Sequence, residues 1–275
     1  MGKAVRIIQY LRIAAGTGLA FVLFGLGGLF LNLVTLLIGV IPNSFPEKRK
    51  QNIQKIVHYS FRAFYWYLKV FRLINGKCKG LERLPSTAYI FVANHPTLLD
   101  IVLILSILPR ALCVVKPKIM SSIYMGEVAR TAGYISNEDG EKLIDACVKK
   151  LNQGTPIIIF PEGTRSLPQT LRLFKRSAAW IALKSDFPIV PAVLSITAPI
   201  LMKDWKWYHV PPHSMEMLVD IHEPIILEKV LNNPKYDSVS ARKLTSHLQQ
   251  FFESKVIFND IGRSEEHTSE LQSHL

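Results

Sequence analysis

Hydrophobic and polar positions along this 275-residue chain fall into two regimes. The N-terminal regime is almost wholly apolar. Ala14 to Ile41 is a run of 28 residues without a charge, long enough as a helix to cross a hydrocarbon layer of ~30 Å. After Pro42 and Pro46 the pattern turns amphipathic. Ile53, Val57, Phe61, Phe64, Leu68 and Phe71 recur at three- and four-residue intervals, with Lys55, Arg62 and Lys69 on another face. This predicts a second helix over about 47–73, suited either to the headgroup region of a bilayer or to packing on a core.

From Leu81 onward, short apolar runs alternate with helix-length segments. Strands are predicted at 88–93, 111–115, 133–136, 156–160, 189–195 and 216–221, and helices near 97–108, 119–131, 138–153, 171–185 and 238–256. Such alternation predicts an α/β fold: a largely parallel mixed sheet flanked by helices, behind an N-terminal two-helix membrane-attaching motif. The division expected is 1–75 for the attaching helices and 76–262 for the α/β domain. Ile200 to Pro212, with Trp205, Trp207 and Tyr208, has no clear period and reads as a loop. Arg263 to Leu275 looks like the translation of a sequencing adapter, so 263–275 is expected to be an unpacked artefactual tail that replaces the natural C-terminus.

Composition sharpens this picture. A hydrophobic content of 49% and a mean hydropathy of +0.20 are high for a chain with a single soluble core. The apolar N-terminal run exceeds the 7–15 residues or so of a secretory signal, and Arg6 stands where a myristoylation signal needs Ser or Thr. Lys3, Arg6 and Arg12 precede that run, and Lys48, Arg49, Lys50 and Lys55 follow it. Basic residues on both sides suit a segment that enters and leaves one face as well as they suit a spanning helix, and Gly25, Gly27 and Gly28 are expected to loosen it. The net charge of +12 becomes +14 without the one Arg and three Glu of 263–275. With no helix-turn-helix, zinc-finger or RNA-binding signature present, that charge points to an anionic membrane surface and not to nucleic acid. Cys78, Cys113 and Cys147 are widely spaced and in no C-x-x-C arrangement, so they read as reduced core residues in a cytosol-facing domain. Walker, dinucleotide and H-E-x-x-H patterns are absent, and neither a metal nor a cofactor is expected.

The chemistry gathers in two stretches that follow strand-length apolar runs. Asn94-His95-Pro96-Thr97-Leu98-Leu99-Asp100 comes after Ala88 to Ala93, and Phe160-Pro161-Glu162-Gly163-Thr164-Arg165-Ser166 comes after Pro156. In open α/β sheets ligands bind beyond the carboxyl ends of the strands, so both are expected to line one cleft. His95 accepts a proton near neutral pH, and Asp100 at the start of a helix would hold one imidazole nitrogen and leave the other facing the cleft. None of the other His residues has Asp five positions later. Gly163 beside Arg165 offers a permissive turn and a guanidinium fork for phosphate. A surface turn with an internal Glu–Arg pair is the plainer reading of the same letters. No G-x-S-x-G nucleophile elbow occurs, so the hydroxyl to be activated is expected to belong to a substrate.

These blocks, followed by Phe174-Lys175-Arg176-Ser177-Ala178-Ala179 and Val190-Pro191-Ala192, resemble those of the glycerolipid acyltransferases, of the bacterial lysophosphatidate acyltransferase type, over about 81–226. The resemblance implies that His95 is the general base and Asp100 its orienting partner. It further implies that Asn94, Glu162, Gly163, Thr164 and Arg165 bind substrate, that acyl-CoA or acyl carrier protein is the donor, and that lysophosphatidate becomes phosphatidate. The implied setting is a membrane-associated enzyme on the cytoplasmic face of the bacterial inner membrane. One block departs from the family: Gly133-Tyr134-Ile135-Ser136-Asn137 ends in an amide where many members carry Arg. Lys116 and Lys118, after the 111–115 run, are the expected replacements for that charge.

Overall fold

The structure, a computed structural model, describes residues 3–40, 46–138, 140–167, 170–198, 201, 211, 214–231 and 233–256. Its elements run α1 (Lys3–Val40), α2 (Pro46–Val70), β1 (Ile74–Lys79), β2 (Ile90–Ala93), α3 (Asp100–Ile107), β3 (Leu112–Val115), α4 (Pro117–Met120) and α5 (Gly126–Ala132). There follow β4 (Ile135–Ser136), α6 (Gly140–Asn152), β5 (Ile157–Ile159), α7 (Ser177–Ser185), β6 (Ile189–Ile196), β7 (Met215–Ile221), α8 (Leu227–Val230) and α9 (Ser238–Lys255).

The strands form one seven-stranded sheet in the order β1-β7-β6-β2-β5-β3-β4. All neighbours are parallel except β6 and β7, so the sheet is mixed and largely parallel. The central strands are buried on both faces, as the unbroken apolar run Ile90-Phe91-Val92-Ala93 requires. Phe91 and Ala93 join the core under α1, α2 and α3, while Ile90 and Val92 join the core under α6, α7 and α9. This is the two-fold alternation of a strand between two helical layers.

The two N-terminal helices pack on the first of those cores. On α1, Ile13, Gly16, Thr17 and Ala20 are buried, whereas Ile8, Phe30 and Leu37 are exposed. The span Ile7–Gly39 is long and apolar enough to cross a membrane by length and composition, with only 11% of its most apolar window buried. The glycines expected to loosen α1 sit in an unbroken helix, and one of them, Gly28, is a point of close approach, as is Gly16 further up the helix. A Cβ on Gly16 would lie 2.9 Å from Leu73 Cδ2, and one on Gly28 would lie 2.5 Å from Tyr124 O. Asn32 adds bonds at the same place: its Oδ1 accepts the Val128 N–H at 3.0 Å and its Nδ2 donates to Ile123 O. Tyr67 Oη donates to Gly16 O, and the buried Gln54 donates to Ala132 O, so α2 is also pinned.

Several boundaries differ from the sequence expectation. Strand β1 was not expected; its Ile-Asn-Gly-Lys-Cys-Lys sequence is half polar because it is an edge strand with one buried end. The helix expected over 119–131 is two helices, α4 and α5, separated at 121–125. The one expected at 171–185 begins at Ser177, because the preceding segment is used in the site described next. Most of the loop expected at 200–212, and all of the tail at 263–275, lie outside the described residues.

Candidate active site

The register of the sheet builds the site. Ile90 pairs with Ile157 and Val92 with Ile159, a constant offset of 67 residues. Extended past the strand ends, that offset brings His95 level with Glu162. The backbone N–H of His95 donates to Glu162 Oε1 at 3.0 Å, and Ser166 N–H donates to His95 O at 2.7 Å. Both stretches therefore leave neighbouring parallel strands at the carboxyl edge, as expected.

His95 is positioned from three sides. Asp100, the first residue of α3, accepts from Nδ1 of the imidazole at 2.7 Å and from the Thr97 N–H at 3.0 Å, both on Oδ2. Phe160 stacks on the imidazole with ring centroids 4.3 Å apart and planes 23° from parallel. The His95 side chain keeps 17% exposure while Asp100 has none. With Nδ1 held by the carboxylate, Nε2 has no protein partner among the described residues and is the nitrogen free to accept a proton. Burial pushes the Asp100 carboxyl above the usual carboxylate range, opposed by the bond from His95. Its Oδ1 has no partner among the described residues.

Glu162 is buried and fully engaged inside the protein. Oε1 accepts from His95 N–H and from Ser166 Oγ at 2.7 Å, while Oε2 accepts from Arg172 N–H at 3.0 Å. Asn94 is likewise committed: its Nδ2 donates to Leu194 O at 2.9 Å and its Oδ1 accepts from Leu194 N–H at 2.7 Å, clamping β2 to β6. These two side chains, expected from the resemblance to bind substrate, hold the backbone that carries the imidazole. Gly163 adopts φ +68°, closing a turn in which its N–H donates to Phe160 O at 3.0 Å. A Cβ there would meet Lys175 Cε at 2.9 Å. Thr164 and Arg165 are partly buried, and Arg165 Nη1 donates to Leu201 O at 2.7 Å. Leu201 O also accepts Leu98 N–H at 3.3 Å, which joins the His95 loop to the Arg165 loop through one carbonyl.

Lys116 stands on the flank. It is exposed at the N-terminus of α4, and the registers 115↔136 and 112↔157 place it level with Asn137 and Pro161. Two strand spacings, roughly 10 Å, separate its strand from β2. Sequence reasoning placed Ser166 in the cleft-lining stretch without giving it a role and missed Arg172 and Leu201; Leu201 acts through its carbonyl and Arg172 reaches Glu162 through its backbone N–H, for which no residue letter is diagnostic, while its Nε donates to Arg165 O at 3.2 Å.

Next to this edge lies a cavity of about 700 Å³, lined by Ala20 and Phe24 of α1, Phe61 and Leu68 of α2, and Leu98 and Leu99 beside His95. It is roofed by the N-terminal helices and almost wholly apolar, with Lys118 among its few charged or polar neighbours.

An imidazole with one nitrogen anchored by a carboxylate and the other unpartnered among the described residues thus lies beside an apolar chamber. Residues 75–195 of this chain match the family model Acyltransferase. More particularly, it is similar to proteins named 1-acyl-sn-glycerol-3-phosphate acyltransferase. It is 28% identical to that of Saccharomyces cerevisiae over 234 residues, which cover 82% of this chain and 72% of the yeast protein. It is 36% identical to that of Helicobacter pylori over 131 residues, covering 45% of this chain and 55% of that one. Against the Brassica napus chloroplast protein the matched part is 44% of the relative's length, so the chain spans about half of several of these relatives. Its fold is similar to the crystal structure of the 1-acyl-sn-glycerophosphate acyltransferase PlsC from Thermotoga maritima, with a TM-score of 0.64 at 22% identity over 90% of this chain and 95% of that one.

Proposed function

We propose that this O-acyltransferase moves a fatty acyl group from acyl-CoA or acyl carrier protein to the free hydroxyl of lysophosphatidate, giving phosphatidate. The observation that carries the reading is the His95–Asp100 pair, held at 2.7 Å beside the apolar cavity. In this mechanism His95 Nε2 takes the hydroxyl proton as the oxygen attacks the thioester carbonyl carbon. The buried Asp100 carboxylate stabilises the imidazolium that forms. The tetrahedral oxyanion collapses, the carbon–sulfur bond breaks, and the departing thiolate receives the proton back from His95. The apolar cavity takes the acyl chains, and Arg165 and Lys116 flank the place for the acceptor phosphate.

A second acceptor class is favoured by one observation. Asn137 stands where many members of the resembling family carry Arg, and its neighbour in register is Lys116, a point charge without the guanidinium fork. Another lysolipid or a specialised lipid therefore competes with lysophosphatidate. The apolar exposed face of α1 accords with membrane association, and the location we propose is the cytoplasmic face of the bacterial inner membrane.

The test is a panel of acceptors with both donors, run on the wild-type protein and on His95→Ala. The substitution should lower transfer by at least about a hundredfold and leave lipid binding in place. Turnover of another acceptor with none of lysophosphatidate would reject the first assignment. Unchanged turnover in His95→Ala would remove His95 as the base and leave a lipid-phosphate-binding module.

A further inference from the structure

A second pocket, of about 440 Å³, opens where the N-terminal helices meet the β1–β7 edge of the sheet. Arg12 of α1, Lys69 of α2 and Arg72 line it, together with Asn75, Ser214 and Glu216. We propose that it is a phosphate-binding site for the headgroup of an anionic bilayer phospholipid, on the same sheet edge as His95 but three strands away from it.

Four observations carry this. First, the charge is unbalanced. Three cations face one carboxylate, and Glu216 already has Lys77 at 3.9 Å. Among the described residues Arg12, Lys69 and Arg72 have no ion pair and no side-chain hydrogen bond, an arrangement suited to an anion from outside.

Second, Arg72 occupies a place that disfavours it. Leu73 N–H donates to Leu68 O at 2.8 Å and Arg72 N–H to Lys69 O at 3.0 Å, the pair of bonds that ends a helix with a left-handed residue. Arg72 is that residue, at φ +51°, where glycine is the favoured type. Ser214 Oγ fixes the same backbone by donating to Arg72 O at 2.8 Å. The strain is retained at a position whose side chain faces the pocket.

Third, each cation has an exposed apolar neighbour in sequence: Leu11 beside Arg12, Val70 beside Lys69 and Phe71 beside Arg72. Cations bordered by exposed apolar and aromatic side chains match the headgroup layer of a bilayer, where a phosphate is tethered to acyl chains. Fourth, the pocket lies on the opposite flank from Lys116. Three strand spacings, roughly 14 Å, separate β1 from β2, so one small phosphate does not reach both flanks.

The experiment is cosedimentation of the full chain with vesicles of phosphatidylcholine alone or with phosphatidylglycerol added, alongside acyl transfer to a short-chain soluble acceptor in detergent. Wild-type protein should prefer the anionic vesicles, with affinity falling as salt rises. Arg72→Gly, Arg12→Gln and Lys69→Gln should each weaken that preference by about fivefold and flatten the salt dependence. Arg72→Gly should also raise the melting temperature, which separates lost binding from lost folding. Transfer to the short-chain acceptor should keep its KM and kcat in all three. Arg242→Gln with Lys243→Gln on α9 is the control. An equal loss there would mean that only net charge is sensed and would overturn the site, as would an undiminished vesicle preference in a variant that combines Arg12→Gln, Lys69→Gln and Arg72→Gly. A raised KM for the short-chain acceptor with vesicle binding intact would hand the pocket to the acceptor. The sedimentation arm needs no turnover, so it stands or falls independently of the proposed reaction.

Discussion

Glu162 Oε1 accepts the backbone N–H of His95 at 3.0 Å, so the motif's carboxylate touches the chain that bears the base and not the imidazole itself. The same group takes Ser166 Oγ and Arg172 N–H, which makes it a buried knot between two strand ends and the segment leading to α7. A residue expected to contact the acceptor acts, on this geometry, by positioning.

That geometry predicts a split between two substitutions. Glu162→Ala leaves three donors buried without an acceptor, each worth about 1–3 kcal/mol, so a fall in melting temperature and in kcat should appear together. Glu162→Gln keeps one oxygen for His95 N–H and Ser166 Oγ and loses only the bond to Arg172 N–H. It should retain most of the stability and recover much of kcat, with little change in acceptor KM. A large KM effect in Glu162→Gln at unchanged stability would return Glu162 to direct acceptor contact.

How much of this was legible beforehand follows from the kind of signal each feature leaves. The central strands were readable because burial on both faces demands unbroken apolar runs, and His95 and Asp100 because their spacing spans one turn at a strand end. Edge strand β1 was not, since a strand with one buried end carries Lys77, Lys79 and Asn75 without penalty. The split of α4 from α5 escaped because Ile119 to Thr131 keeps a helical look while Gly126 needs the room that the break provides: a Cβ there would meet Met120 O at 2.6 Å. Roles carried by backbone N–H groups, such as Arg172 on Glu162, leave no trace in side-chain identity. The apolar cavity is tertiary: its walls come from α1, α2 and the start of α3, each of which alone reads as an ordinary apolar stripe.

The contact of α1 with the rest of the protein can be tested at glycine. Gly28→Val would put a Cβ 2.5 Å from Tyr124 O, against backbone that cannot swing aside. Gly27→Val adds the same bulk where nothing lies within 4 Å. The first should destabilise by about 1–3 kcal/mol and disturb the adjoining cavity, lowering kcat, and the second should leave both unchanged. Equal melting temperatures for the two variants in detergent would show that α1 is not docked at Tyr124.

The three thiols should be inert. Burial pushes Cys113 and Cys147 up to about 12, and burial together with Asp220 and Glu82 pushes Cys78 up to about 11. The thiolate fraction at neutral pH is then negligible. Iodoacetamide at pH 7 should label none of them over the lifetime of the folded protein and all of them in guanidinium chloride. Rapid labelling of Cys113 or Cys147 in the folded state would contradict its burial, and rapid labelling of the half-buried Cys78 would contradict its raised pKa.

The buried Asp100 makes a prediction whose sign is opposite to that of an exposed, salt-bridged carboxylate. Loss of solvation raises its pKa in the folded protein, and the His95 bond opposes this only in part. The folded state therefore binds the proton more tightly than the unfolded chain, whose carboxyl titrates near ~3.9. Between that value and the raised folded one, the unfolded state has already released its proton, so this group's contribution to stability falls as pH rises through the window. Asp100→Asn cannot ionise, so the melting temperature of the variant relative to wild type should climb as pH is raised from about 4 to 7. Its acyl transfer should nevertheless drop by roughly a hundred- to ten-thousandfold at every pH, because an amide neither stabilises the imidazolium nor selects the tautomer with Nε2 free. A difference in melting temperature that stays flat across that range would mean that Asp100 is ionised as easily in the folded protein as in water, and that its burial carries no electrostatic cost.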